Sequence, residues 1–98
     1  MAQDPVQVAS NVYRTLFENE RVRLLEARLD PGDSSVMHGH PDYVVYNLAA
    51  GKVKFSSPSG ETEEVELPAE AAMWRDAEDH SVENVGSTEV RSLLFELK

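Results

Sequence analysis

Cysteine is absent from the 98-residue chain. That excludes a disulfide framework and any thiolate metal site, and it fits a reducing compartment. Long apolar runs are also missing, since none nears the roughly 18 residues of a membrane-spanning helix. The start, Met1-Ala2-Gln3-Asp4-Pro5, has no basic segment followed by an apolar stretch. No secretory leader is therefore expected, and the expected location is the cytoplasm. Basic side chains are scarce: 9 Lys and Arg stand against 18 Asp and Glu, for a formal net charge of −9. Such a surface repels phosphate backbones and anionic headgroups, so neither nucleic acid nor membrane is an expected partner. Glycine-rich phosphate loops are absent, and no serine has the histidine and carboxylate pattern that marks a nucleophile.

What is present is a series of short alternating runs between turn signals, the pattern of an all-β sandwich or barrel. A single domain over 1–98 is expected, with a loose, polar segment over 1–9. Strands are expected over Asn11–Phe17, Val22–Leu29, Ser35–His40, Tyr43–Ala49, around Val53 and Phe55, over Thr62–Leu67 and over Val90–Leu97. The phase of alternation shifts near Glu26, where a bulge is expected. Asp30-Pro31-Gly32-Asp33 and Ser57-Pro58-Ser59-Gly60 are turns. Pro68–Trp74 has helix-forming composition, but a compact β domain needs a strand there, and strand is the reading adopted. Leu93, Phe95 and Leu97 are the expected inward face of the last strand.

The chain has three histidines. His38 and His40 are two positions apart, so a strand would aim both rings to one face, where two nitrogens can chelate a divalent ion. His80 would complete a three-nitrogen site with open positions if its strand lies opposite. The alternative is a polar strand end and an unrelated loop histidine.

The segment Gly32-Asp33-Ser34-Ser35-Val36-Met37-His38-Gly39-His40 resembles the opening of the first cupin motif, and Gly51 falls where that motif ends. His80 and Asn84, with three residues between them, match the second motif. Residues 52–68 form a short insert like that of small single-domain cupins, and the resemblance spans about residues 20–97. It implies a cupin-type double-stranded β-helix, a jelly-roll β-barrel of the RmlC-like kind. It also implies a metal site of His38, His40 and His80, and a homodimer pairing through the 11–29 region. Two departures stand out. The family's usual glutamate ligand counts to Val44, and the second motif's glycine, proline and glycine count to Ala69, Arg75 and Ala77.

Without that glutamate, three neutral imidazoles leave the full double charge on the ion, which favours anionic or chelating substrates. The implied cofactor is one divalent transition metal, drawn from Fe, Zn, Ni, Mn and Cu. The implied activity is that of a metalloenzyme acting on a small organic molecule, of the three-histidine dioxygenase type or a related lyase or isomerase. A non-catalytic binding or sensing cupin is the alternative. Val44, Tyr46 and Trp74 are the candidate pocket residues, with core packing as the other reading for Tyr46 and Trp74. Arg75 is expected to pair with Asp76, Glu78 or Asp79, Asp42 to sit in a turn, and Asn84 to hold backbone.

Overall fold

A computed structural model describes residues 3–98. A single turn of helix, α1 (Pro5–Val8), precedes nine strands: β1 (Tyr13–Glu18), β2 (Val22–Leu29), β3 (His38–His40), β4 (Tyr43–Asn47), β5 (Gly51–Ser56), β6 (Thr62–Leu67), β7 (Ala71–Arg75), β8 (Glu78–Asn84) and β9 (Val90–Leu97). All pairings are antiparallel. They build a five-stranded sheet in the order β1-β2-β9-β4-β7 and a four-stranded sheet in the order β3-β8-β5-β6. The two sheets face one another as a jelly roll, without closing into one continuous hydrogen-bonded barrel. Leu25, Ala27, Leu29, Val45, Leu94 and Val90 from the larger sheet meet Val53, Val82 and Leu67 from the smaller in the core.

Three sequence expectations change. The segment over 1–9 is not loose within the described residues. Asp4 caps α1 by accepting from the Val6 amide at 2.9 Å, the Gln3 carbonyl accepts from the Gly39 amide at 2.9 Å, and Ala9 is buried. Positions 1 and 2 lie outside the described residues. The bulge falls in β1, between Thr15 and Phe17, while β2 runs unbroken against β9. Glu26 breaks the apolar alternation for another reason. It lies on the outer face, buried under Arg14 and Arg91, which pair with it at 3.0 and 3.1 Å.

The third change concerns β9. Its inward residues are Val90, Ser92, Leu94 and Glu96, while Phe95 and Leu97 are exposed. Alternation picks the more apolar face as the inner one, and here the outer face is the more apolar. One row crosses the whole outer face in register: Phe17, Leu24, Phe95, Val44 and Trp74.

Asn84 does hold backbone. Its amide donates to the Leu29 carbonyl at 2.9 Å and the Thr88 carbonyl at 2.8 Å, and its oxygen accepts from the Gly86 amide at 2.9 Å. Each such bond contributes about 1 kcal/mol net. Asn84→Ala is expected to cost about 3 kcal/mol, read as a lower denaturation midpoint in urea with an unchanged slope.

Candidate metal centre

The strand β3 is only three residues long, His-Gly-His, and its alternation sends both imidazoles inward. It pairs with β8 so that His38 lies opposite His80 and His40 opposite Glu78. Four inward side chains therefore form the corners of a short ladder. One inner row of the larger sheet faces them: Arg23, Glu96, Tyr43 and Arg75, in register across β2, β9, β4 and β7.

The three rings meet. Centroids are 4.8 Å apart for His38 and His40, 4.7 Å for His38 and His80, and 5.0 Å for His40 and His80. All three residues are buried. Their candidate ligand atoms lie within 4.8 Å of one another. Nitrogens around tetrahedral zinc are about 3.4 Å apart, so a bound ion would draw the rings together.

Hydrogen bonding fixes which nitrogen each ring presents. His38 Nδ1 is 2.8 Å from the Val36 carbonyl, and His40 Nδ1 is 2.7 Å from Glu96 Oε2. Both partners only accept, so each Nδ1 carries the proton and each Nε2 keeps a bare lone pair. His80 is held more loosely, with Glu78 Oε1 3.4 Å from its Nδ1. Among the described residues the buried side-chain atoms without a partner are His38 Nε2, His40 Nε2, both nitrogens of His80, and Asn47 Nδ2. Unmatched buried acceptors each cost about 1–3 kcal/mol. Their convergence on one spot fits a cation, and three imidazoles suit a transition metal better than magnesium or calcium.

Burial lowers the His38 pKa from 6.5 to about 4. The His80 value is lowered as well, by burial first, with the Glu78 carboxylate opposing. Both rings are thus neutral and ready to ligate at neutral pH. The unfolded chain takes up these protons near pH 6.5 while the folded chain does not. Stability of the metal-free protein is therefore full above that pH and falls as pH drops through 6.5 toward 4. Chemical denaturation of the metal-free protein at pH 7.5 and pH 5 should show this loss, and it should shrink in His38→Ala.

Ionised groups surround the cluster. Arg23 Nε and Nη2 donate to Glu96 Oε1 at 2.8 Å, and Arg75 Nη2 donates to Glu78 Oε1 at 2.9 Å. Burial raises the Glu78 pKa, but hydrogen bonding to Arg75 and then the His80 contribution outweigh it and hold the carboxyl well below the usual range. The Tyr43 hydroxyl donates to Glu78 Oε2 at 3.0 Å. Burial pushes the phenols of Tyr13 and Tyr43 above their ordinary values. Tyr13 packs edge-on to His38 and His40, Tyr43 lies against His40, and Phe55 stacks on His80.

A cavity of about 50 Å³ extends from Tyr13, Tyr43, Phe55 and Arg75 into the core, walled mainly by aliphatic side chains, with Asn47 and Ser92 also lining it. On the outer side an open groove lined by Glu61, Glu63, Arg75, Glu78, Asp79 and His80 leads to the cluster.

The histidines stand as the spacing suggests, but the candidate pocket residues do not. Val44 and Trp74 share the outer row described above, and Tyr46 is on the same outer face beside Leu93. Trp74 is 52% exposed and donates to Asp76 at 2.9 Å. The correction has one cause. Both faces of β4 are apolar, so parity could not say which turns inward; Tyr43, Val45 and Asn47 do. Position 44, where the motif count places the family's glutamate, faces away from the histidines. Arg75 pairs with Glu78 as expected, and Asp42 sits in a turn, accepting from the Ala77 amide at 2.8 Å. Sequence reasoning missed Arg23, Glu96, Glu78, Tyr13 and Tyr43. The sequence offers little signal for Arg23 and Glu96, because β2 also carries Glu26 and Arg28 and β9 also carries Arg91.

The chain matches no protein-family model and no curated protein sequence. Among solved structures it is similar to a cupin-domain protein from Bordetella pertussis Tohama I, at 29% identity and TM-score 0.80 over 89% of this chain and 92% of that one. It is also similar to an RmlC-like cupin with a double-stranded β-helix fold from Methanocaldococcus jannaschii, at 12% identity and TM-score 0.68 over 88% and 78% of the two chains. A third similar structure is the polyketide cyclase RemF from Streptomyces resistomycificus, at 24% identity and TM-score 0.62 over 87% of this chain and 63% of that one. The chain thus has the double-stranded β-helix fold of the cupins and carries a buried three-histidine cluster.

Proposed function

We propose that His38, His40 and His80 hold one divalent transition metal through Nε2, and that the site handles a small chelating organic molecule as a dioxygenase-like metalloenzyme. The observation that carries this is the set of converging, buried and unpartnered imidazole nitrogens. A bound ion would supply Lewis acidity and, if it is iron, redox chemistry. The chain's own residues set tautomer, orientation and access. Three neutral imidazoles around a divalent ion suit anionic and chelating substrates alike; the groove favours the second. Glu61, Glu63, Glu78 and Asp79 line it against the single cation Arg75, so it attracts metal ions and repels anions. The test is metal content after expression in metal-replete medium, for the wild type and for alanine at each histidine. One ion per wild-type chain is expected, and none or a sub-stoichiometric trace in the variants. Oxygen uptake by iron-loaded protein with diketones, thiols and phenols then tests the reaction class.

One observation favours a binding or sensing module instead. Among the described residues, the polar side chains beside the histidines are tied up: burial raises the Tyr13 and Tyr43 phenols, Glu78 is paired with Arg75, and Glu96 with Arg23. Stoichiometric metal without turnover of any of those compounds would select that reading.

We also propose that the apolar outer row covers a second copy of this chain. It carries no charge and runs unbroken from Phe17 to Trp74, so a two-fold contact can bury the same apolar stripe on both copies. Among the described residues no helix is long and apolar enough to cross a membrane. The net charge of −9 and the absence of cysteine support a cytoplasmic protein that binds neither nucleic acid nor membrane.

A further inference from the structure

The proposed ligand His40 is the inner end of a chain of ionic contacts that reaches the protein surface. Its Nδ1 donates to Glu96 Oε2 at 2.7 Å. The other oxygen of Glu96 accepts from Arg23 Nε at 2.8 Å, and Arg23 Nη1 donates to Asp4 Oδ2 at 2.8 Å and Oδ1 at 3.1 Å. The side chains of His40, Glu96 and Arg23 are 0%, 3% and 14% exposed, so little water competes along the inner links. Asp4 is also the cap of α1, through the Val6 amide. A second tie joins the same segment to β3: the Gln3 carbonyl accepts from Gly39, the residue between the two histidines, at 2.9 Å. Residues 3–9 are thereby fastened to the metal-binding strand at the backbone of Gly39 and at the ring of His40.

We propose that this N-terminal segment is a strap that sets metal affinity, with Asp4, Arg23 and Glu96 as positioning residues for His40. The inference rests on the metal reading above. A carboxylate on Nδ1 fixes the tautomer and raises the basicity of Nε2, a contribution worth about 10–100-fold in metal affinity. Glu96 can do this only while its second oxygen is held. Arg23 holds it, and Asp4 fixes the far end of the guanidinium. Docking of the strap and binding of the ion are then coupled, and coupling is reciprocal: a strap that tightens the site is itself tightened by the ion.

Asparagine at position 4 separates this role from a structural one. It caps a helix as well as aspartate does, so Asp4→Asn keeps α1 while removing the charge that holds Arg23. Zinc affinity is measured by competition calorimetry on the full chain for wild type, Asp4→Asn and Glu96→Gln. Amide exchange over residues 3–9 is measured with and without zinc, and visible spectra are recorded for the cobalt-loaded forms. The expected losses are about 10–100-fold for Glu96→Gln and about 3–10-fold for Asp4→Asn. The cobalt band should shift in Glu96→Gln, and zinc should slow exchange of the strap in the wild type but less in Asp4→Asn. Wild type that binds zinc, with both variants binding as tightly and the strap unaffected by zinc, overturns the strap and leaves the metal reading standing. Wild type that binds neither zinc nor cobalt overturns both. If Glu96→Gln does not fold, Asp4→Asn decides alone.

Discussion

Alanine at His38 is expected to lower zinc affinity by more than about 100-fold, beyond the range seen when only a ligand's orienting partner is lost. The ring sits at the centre of the cluster, close to both other histidines and to Tyr13, and its Nε2 has nothing else to bind. The metal-free variant should be little less stable than wild type. It loses a buried ring, but it also sheds an unmatched acceptor that costs about 1–3 kcal/mol. Zinc separates the two proteins. At a concentration 1,000 times the dissociation constant, an ion that binds only the folded state stabilises it by about 4 kcal/mol. For a domain of this size that raises the melting temperature by upwards of about 15 °C. The wild type should show this rise in a thermal scan, and His38→Ala should not.

Glutamate at position 95 is expected to convert a dimer to a monomer at micromolar concentration, a loss of more than about 100-fold in association. Phe95 is central in the outer row, between Leu24 and Val44, and is 39% exposed. A carboxylate there would be desolvated without a partner on association, and two copies near a two-fold axis would repel. Its outward facing spares the core, so the denaturation midpoint of the monomer should move little. Sedimentation velocity of wild type and Phe95→Glu checks this; a wild type that is monomeric at micromolar concentration removes the proposed interface.

Much of the architecture was legible because local signals agreed. The limits of β2, β6 and β9 follow their alternation, and Gly32 and Gly60, placed in turns, have φ of 87° and 91°. The ambiguous run Pro68–Trp74 is a strand from Ala71 onward, pairing with the edge of β4, after a turn in which Glu70 has φ of 57°. The pairing of His38 and His40 was legible because a strand with period two leaves them no choice but a common face. Facing was the part that failed, and for one reason. β4 and β9 carry apolar side chains on both faces, so their alternation has no sign, and Val44, Tyr46, Trp74, Leu93, Phe95 and Leu97 face outward against expectation. Glu96 was missed for the same cause. Read as an outer residue it is an ordinary surface charge; placed inside, it is the group that orients His40. Register between distant strands, which aligns Arg23 with Glu96 and His40 with Glu78, cannot be read from either strand alone.

The central claim is that three imidazoles bind a single ion through Nε2. X-ray absorption at the zinc edge of stoichiometrically loaded protein tests it most directly. Nitrogen or oxygen neighbours at about 2.0–2.1 Å with the outer-shell scattering of three imidazoles are expected, a signature lost in His80→Ala, which should retain at most a trace of zinc. A zinc environment of carboxylates and water with no imidazole scattering, or one unchanged by loss of His80, would contradict it.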